Sequence, residues 1–388
     1  MTMNVLKTGC KGANVAALKL GLIRAGLYNE PADGVFDAET KAAVIDFQKR
    51  NGLCPNGEAG AVTFELLKPY IMGCRQDAGK NIVPTDMDYS YCLLKMILAG
   101  LKKRYPFLEV SSIGKSVMGR NIYCVGIGGG NNEVFYNAAH HANEWITAPL
   151  LLKFIEDYAN AYAAGESISD IPAKTLFEKT GLFVAPLVNP DGVDLVTGAV
   201  DNGVFFARAK GFAANYPLIP FPGGWKANID GVDLNLAYPA GWEEAKKLKY
   251  EQGFISPGPR DFVGCRPLSA PESKAVYDFT LKHDFKLVLA YHTQGREIYW
   301  KYKDCEPAHS RDIAGKMSAA SGYTLEIAPE YSANAGYRDW FIKKYGRPGF
   351  TVEAGYGVSP LPVRMFDEIY EENIGILVEG LLFSMHNS

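Results

Sequence analysis

Three of the six histidines in this sequence stand where they could do chemistry. His141 follows directly on the apolar run Val134–Ala139, and Glu144 comes three residues later, where a helix begins. His292 follows directly on a second apolar run, Leu287–Tyr291. In open α/β sheets, ligands gather at the carboxyl ends of the strands. Two strand-end imidazoles, one of them three residues from a carboxylate, suit a catalytic zinc. Such an ion takes three nitrogen or oxygen ligands from the protein and keeps one position for water. His140 competes with His141 by position alone. His283 reads as a cation at a helix end, and His309 and His386 as solvated residues. A third apolar run, Phe350-Thr351-Val352, is closed by Glu353. A carboxylate there could take a proton from the activated water and return it to a leaving amine; it could equally be a surface residue at a strand exit. Asn189, in Val-Asn-Pro-Asp-Gly, reads as a turn.

The elements that must carry these residues alternate. Short apolar runs at Val134–Ala139, Leu182–Val188, Leu287–Tyr291 and Gly349–Val352 are separated by helix-periodic stretches such as Ile146–Tyr162. That alternation predicts an α/β unit over 85–388, with a mixed, mainly parallel sheet flanked by helices. The Gly-, Pro- and Phe-rich stretch Val196–Trp225 reads as long loops. A polar linker is expected over 73–84. Ahead of it, residues 1–72 predict a small three-helix domain. Val15, Leu18 and Leu22 fall on one helix face, Asp37 is placed to cap a second helix running to Asn51-Gly52, and a third lies around Thr63–Leu67.

Composition removes several function classes. Forty Lys and Arg against 43 Asp and Glu give a net charge of −3, without the basic excess of a nucleic-acid partner. The longest apolar stretch, Leu93–Leu101, is broken by Lys95 and is too short to span a membrane. Seven scattered cysteines without CxxC spacing argue against a disulfide framework. The N-terminal residues lack the apolar core of a signal peptide.

The first segment resembles the three-helix peptidoglycan-binding domain of bacterial wall hydrolases. The match runs in order through Gly12, Val15, Leu18, Leu22, Gly26, Asp33-Gly34, Phe36, Thr40, Ala43-Val44, Phe47-Gln48, Asn51-Gly52-Leu53, Gly57, Gly60 and Thr63. The segment 85–388 resembles the carboxypeptidase A-like zinc peptidases. It does so through His141-Ala142-Asn143-Glu144-Trp145, Asn189-Pro190-Asp191-Gly192, Asp233-Leu234-Asn235, Tyr291-His292-Thr293 and Thr351-Val352-Glu353. This resemblance implies His141, Glu144 and His292 as the ligands of one zinc per chain, choosing His141 over His140 by its spacing, and Glu353 as the general base. Three positions depart from the family. Lys226, after Trp225, stands where the family has an oxyanion-holding arginine, and a lysine would act there as a point charge rather than a fork. Asn235-Leu236 replaces the Asn-Arg pair that grips a C-terminal carboxylate. Counting back from Asp339-Trp340, Arg338 floors the pocket beyond the scissile bond, and the family's mobile tyrosine falls at Tyr331.

The two resemblances together imply a bacterial enzyme similar to the γ-D-glutamyl-diaminopimelate peptidases. Its partner would be peptidoglycan or a muropeptide, and its target the stem peptide. Two other functions are compatible with parts of the pattern. A general metallocarboxypeptidase keeps the chemistry but lacks the arginine at 236. A catalytically inactive wall-binding protein would explain the lost arginines but not the complete ligand set. Without a visible export signal, the expected location is cytoplasmic or spore-associated, or the wall after release by another route.

Overall fold

The computed structural model describes residues 5–71, 81–329 and 333–386. Most of the expected linker, and Tyr331, lie outside those ranges.

Three helices open the chain: α1 (Ala13–Arg24), α2 (Ala38–Arg50) and α3 (Ala61–Ile71). Asp37 caps α2, its Oδ1 accepting from Thr40 N at 2.7 Å. Val15, Leu18 and Leu22 face inward with Val44, Phe47 and Leu67. Lys19 is buried among them, its Nζ 2.7 Å from Asp33 and 3.0 Å from Asp37. A buried ammonium requires such partners. The unit rests on the rest of the chain. Ala13 N donates to Thr197 O at 3.1 Å, and Arg24 donates to Asn81 O at 2.8 Å. Its apolar side chains run into the same core as α4 (Tyr91–Arg104).

Beyond α4, an eight-stranded sheet is built from β1 (Glu109–Lys115), β2 (Asn121–Ile127), β3 (Asn132–Ala138), β6 (Thr180–Ala185), β7 (Leu287–His292), β8 (Glu297–Tyr299), β9 (Thr324–Glu326) and β10 (Gly349–Glu353). The two short strands β4 (Ser167–Ile168) and β5 (Ile171–Pro172) pair separately. The order is β1-β2-β6-β3-β7-β10-β8-β9. Its centre, β6-β3-β7-β10, is parallel. β1, β2 and β6 pair antiparallel, as do β8 and β10. Alternate residues of the central strands feed two cores. Val134, Tyr136, Leu287 and Leu289 face one, Phe135, Val288 and Ala290 the other, the period-2 pattern of a doubly covered sheet.

α5 (Thr147–Ala164) and α13 (Phe366–His386) lie on the first face. α10 (Pro271–Thr280) and α12 (Tyr337–Tyr345) lie on the second. The other helices are α6 (Ala173–Lys179), α7 (Pro190–Val196), α8 (Gly203–Ala213), α9 (Trp242–Glu251) and α11 (Ser310–Ser321). α8 corrects the expectation of loops throughout Val196–Trp225. Its Ala, Arg and Lys residues favour helix, and Phe205, Phe206 and Phe212 pack on the cluster around buried Trp225. No helix among the described residues is long and apolar enough to cross a membrane.

Candidate metal and active site

Three adjacent parallel strands, β3, β7 and β10, end side by side, and the chemistry gathers where they stop. His292 is the last residue of β7 and pairs in register with Glu353, the last residue of β10. His141 and Glu144 follow β3: His141 precedes, and Glu144 closes, a single 3-10 turn over Ala142–Glu144. Across these segments, His141 Nδ1 lies 2.9 Å from Glu144 Oε1, and His292 Nδ1 lies 2.9 Å from Glu144 Oε2. The two Nδ1 atoms are 3.2 Å apart. All three side chains are buried.

That convergence fits a zinc ion. Neutral imidazole nitrogens and carboxylate oxygens are the donors zinc prefers. The donor atoms of the three side chains all lie within 4.8 Å of one another, close enough to share one ion. The electrostatics agree. Burial lowers the proton affinity of His141, but Glu144 and Asp233 outweigh it and leave the pKa raised to about 9. Burial keeps His292 below the ordinary imidazole value. Glu144, although buried, is held well below the carboxylate range by His141 and Lys226. The carboxylates of Glu144 and Asp233 thus favour a positive charge beside His141.

His140, the competing ligand, turns away: its Nε2 meets the Tyr238 hydroxyl at 3.0 Å. Asn189 corrects the expectation of a plain turn: it is the N-cap of α7, and it ties two loops together. Its Oδ1 accepts from Gly192 N, while its Nδ2 donates to His140 O and Ala227 O, each at 3.0 Å. Ala142 N in turn donates to Lys226 O at 2.9 Å. These bonds hold Lys226 beside the ligands, with its Nζ 2.9 Å from Glu144 Oε1. The Glu144 carboxylate raises the Lys226 pKa against the opposing effect of burial. Glu353 is half-buried; desolvation and then the Glu144 charge push it up to about 8.

One contributor escaped the sequence reading. Asp233 Oδ1 lies 3.1 Å from His141 Nε2, and its Oδ2 accepts from Asp261 N at 3.2 Å. It fixes the ring so that Nδ1 faces inward, the usual service of a carboxylate behind a ligand histidine. The Asp233-Leu234-Asn235 block carried the signal, but nothing in its spacing tied it to His141.

Two of the residues that the resemblance implied for substrate binding, Asn235 and Arg338, meet at the start of α12. Asn235 Oδ1 accepts from Tyr337 N at 3.0 Å. Arg338 is buried, its Nε donating to Asp339 Oδ1 at 2.9 Å and one Nη to the same oxygen. Leu236 turns into an apolar cluster with Trp242, Ala245, Val263 and Ala335. Arg208, on α8, pairs with Asp230.

Comparison with known proteins agrees with this geometry. The zinc carboxypeptidase family matches residues 94–374. The chain belongs to the zinc carboxypeptidase family. A peptidoglycan binding domain matches residues 11–67. The chain is 42% identical over 304 residues to gamma-D-glutamyl-L-diamino acid endopeptidase 1 of Lysinibacillus sphaericus, covering 78% of this chain and 74% of that protein. It is 40% identical over 281 residues to the Bacillus subtilis protein YqgT, covering 72% of this chain and 73% of that one. Among solved structures, carboxypeptidase A of Helicoverpa armigera superposes with a TM-score of 0.60 at 19% identity. That match covers 88% of this chain and 86% of the other. It shares the zinc carboxypeptidase fold.

Proposed function

We propose that this zinc carboxypeptidase-family protein hydrolyses peptidoglycan stem peptides, cutting the γ-D-glutamyl–diaminopimelate bond. The observation that carries the reading is the buried convergence of His141, Glu144 and His292 with Glu353 at the neighbouring strand end. The relative named gamma-D-glutamyl-L-diamino acid endopeptidase, aligned over most of both chains, supports the bond. The match over residues 11–67 supports the wall as the partner. In this reading residues 1–72 hold the wall, 73–84 link, and 85–388 cut.

His141, Glu144 and His292 hold the zinc, one per chain. When bound, zinc supplies a Lewis acid that polarises the scissile carbonyl and makes water acidic enough to attack at neutral pH. Glu353 accepts the proton of the attacking water and passes it to the departing amine. Lys226 steadies the carbonyl oxygen as it becomes anionic. Asn235 and Tyr331 contact the substrate, and Arg338 faces the side chain of the departing residue. Leu236, turned into its apolar cluster, leaves no cation at the position where the family grips a C-terminal carboxylate, which disfavours a general metallocarboxypeptidase. The intact donor set disfavours an inactive wall-binding protein.

The test is mass spectrometry of defined muropeptides after incubation with the purified, zinc-loaded protein. The expected products are L-Ala-γ-D-Glu and peptides that begin with diaminopimelate. Release of only the C-terminal D-alanine overturns the reading.

A further inference from the structure

Across the β8–β10 ladder, Glu297 stands directly opposite Glu353. Side chains opposite one another on paired strands share a face, and like charges so placed repel. The sheet therefore ends in two neighbouring carboxylates. Among the described residues no lysine or arginine forms an ion pair with Glu297. Its Oε2 accepts a 2.6 Å hydrogen bond from the Tyr299 hydroxyl. A Cβ at Gly295 would lie 3.1 Å from Glu297 Cδ, so the carboxylate rests against that backbone as well. Tyr299, two residues along the strand, is on the same face. The Arg338 guanidinium sits over its ring, with Cζ 5.7 Å from the centroid. One wall thus presents the base, an unpaired carboxylate, a phenol that holds it, and a cation.

That order matches a side chain ending in both an ammonium and a carboxylate. We infer that Glu297 recognises the second amine of the diamino acid on the departing side of the scissile bond, while Arg338 takes the carboxylate beside it. The inference rests on the proposed peptidase reading and deepens it. An ammonium offers charge-assisted donors to Glu297 and relieves its repulsion with Glu353. A side chain without the amine leaves the two carboxylates facing each other, which works against that substrate as well as omitting a contact. The two recognition residues divide the work: Glu297 admits any diamino acid, and Arg338 separates diaminopimelate from lysine.

The experiment uses the full-length zinc-loaded protein and three synthetic peptides, L-Ala-γ-D-Glu-X. X is meso-diaminopimelate, L-lysine, or 2-aminopimelate, which is diaminopimelate without its second amine. The parent should favour diaminopimelate over 2-aminopimelate by about 10- to 150-fold in kcat/KM, the range for a charge-assisted bond. In Glu297→Gln, which keeps the shape and the Tyr299 contact, that ratio should collapse towards one; Glu297→Asp should retain part of it. Where the variant turns over too slowly, Kd from calorimetry with the same two peptides reads the same ratio. A ratio that Glu297→Gln leaves unchanged, or a parental ratio near one, overturns the role of Glu297 while the peptidase reading stands. A parent that cleaves none of the three peptides brings down both.

Discussion

The two sides of this site are held in different ways. On the metal side, His141, Glu144, His292 and Glu353 come from the ends of three adjacent strands whose register fixes them. Each is buried or half-buried, and Asn189 and Asp233 brace the loops from behind. On the pocket side, Asn235 and Arg338 meet at the first turn of a nine-residue helix, α12, where Asp339 both accepts from Gly336 N and pairs with Arg338. In the proposed reading the metal side acts on every substrate alike, whereas the side built from one helix start and one short strand decides which substrate is accepted. Variants on the first side should therefore lower turnover for all peptides together. Variants on the second should change the ranking among them.

The largest effect should come from the metal. The parent should carry one zinc per chain by elemental analysis, and His292→Ala should lose most of it together with its activity. Full zinc in that variant would break the assignment of the metal side. Glu353→Gln keeps the shape but cannot accept a proton, so turnover should fall by at least ~100-fold for every peptide, with zinc content unchanged. The pH profile sharpens the point. Burial and Glu144 raise the Glu353 pKa, so the protonated, inactive form persists to higher pH than for a solvent-exposed glutamate. Parental activity should rise with pH as Glu353 ionises, and the variant should lack that limb. Lys226→Ala should lower kcat by roughly 10²–10³ if Lys226 is a full oxyanion donor. An unchanged kcat would move the charge elsewhere and leave Lys226 as the partner of Glu144 alone.

How much of this was legible follows the same division. The ligand set could be read because His141 and His292 each follow an apolar run, with Glu144 three residues beyond the first, and the resemblance to the zinc carboxypeptidases chose His141 over His140. The mainly parallel sheet followed from the alternation of short apolar and helix-periodic segments. Asp233 was not legible as a brace, because its partner lies 92 residues away and nothing local couples them. Glu297, in the role inferred for it, was hidden for a related reason: only strand register sets it opposite Glu353. The helix α8 was missed because its phenylalanines read as loop until Trp225 supplied the surface they pack on. At the N-terminus the Asp37 cap was visible in the sequence, but the burial of Lys19 between Asp33 and Asp37 depends on tertiary packing.

Arg338 gives the smallest and most discriminating effect. A free guanidinium gripping a distal carboxylate would be worth roughly 10- to 150-fold between diaminopimelate and lysine stems. Here Asp339 already accepts two of its N–H groups through a single oxygen. That shared pairing offsets part of the positive charge while fixing the planar fork in place. The expected preference is therefore near the lower end, about 10-fold. Arg338→Ala should remove it by slowing only the diaminopimelate peptide, leaving the lysine peptide close to its parental kcat/KM. Arg338→Lys should not restore it, because a single ammonium cannot bond Asp339 and the substrate with the geometry of a guanidinium. Equal loss on both peptides would mean that Arg338 serves α12 through Asp339 and not the substrate, and the division between a chemical side and a selective side would then have to be redrawn with Glu297 alone on the selective one.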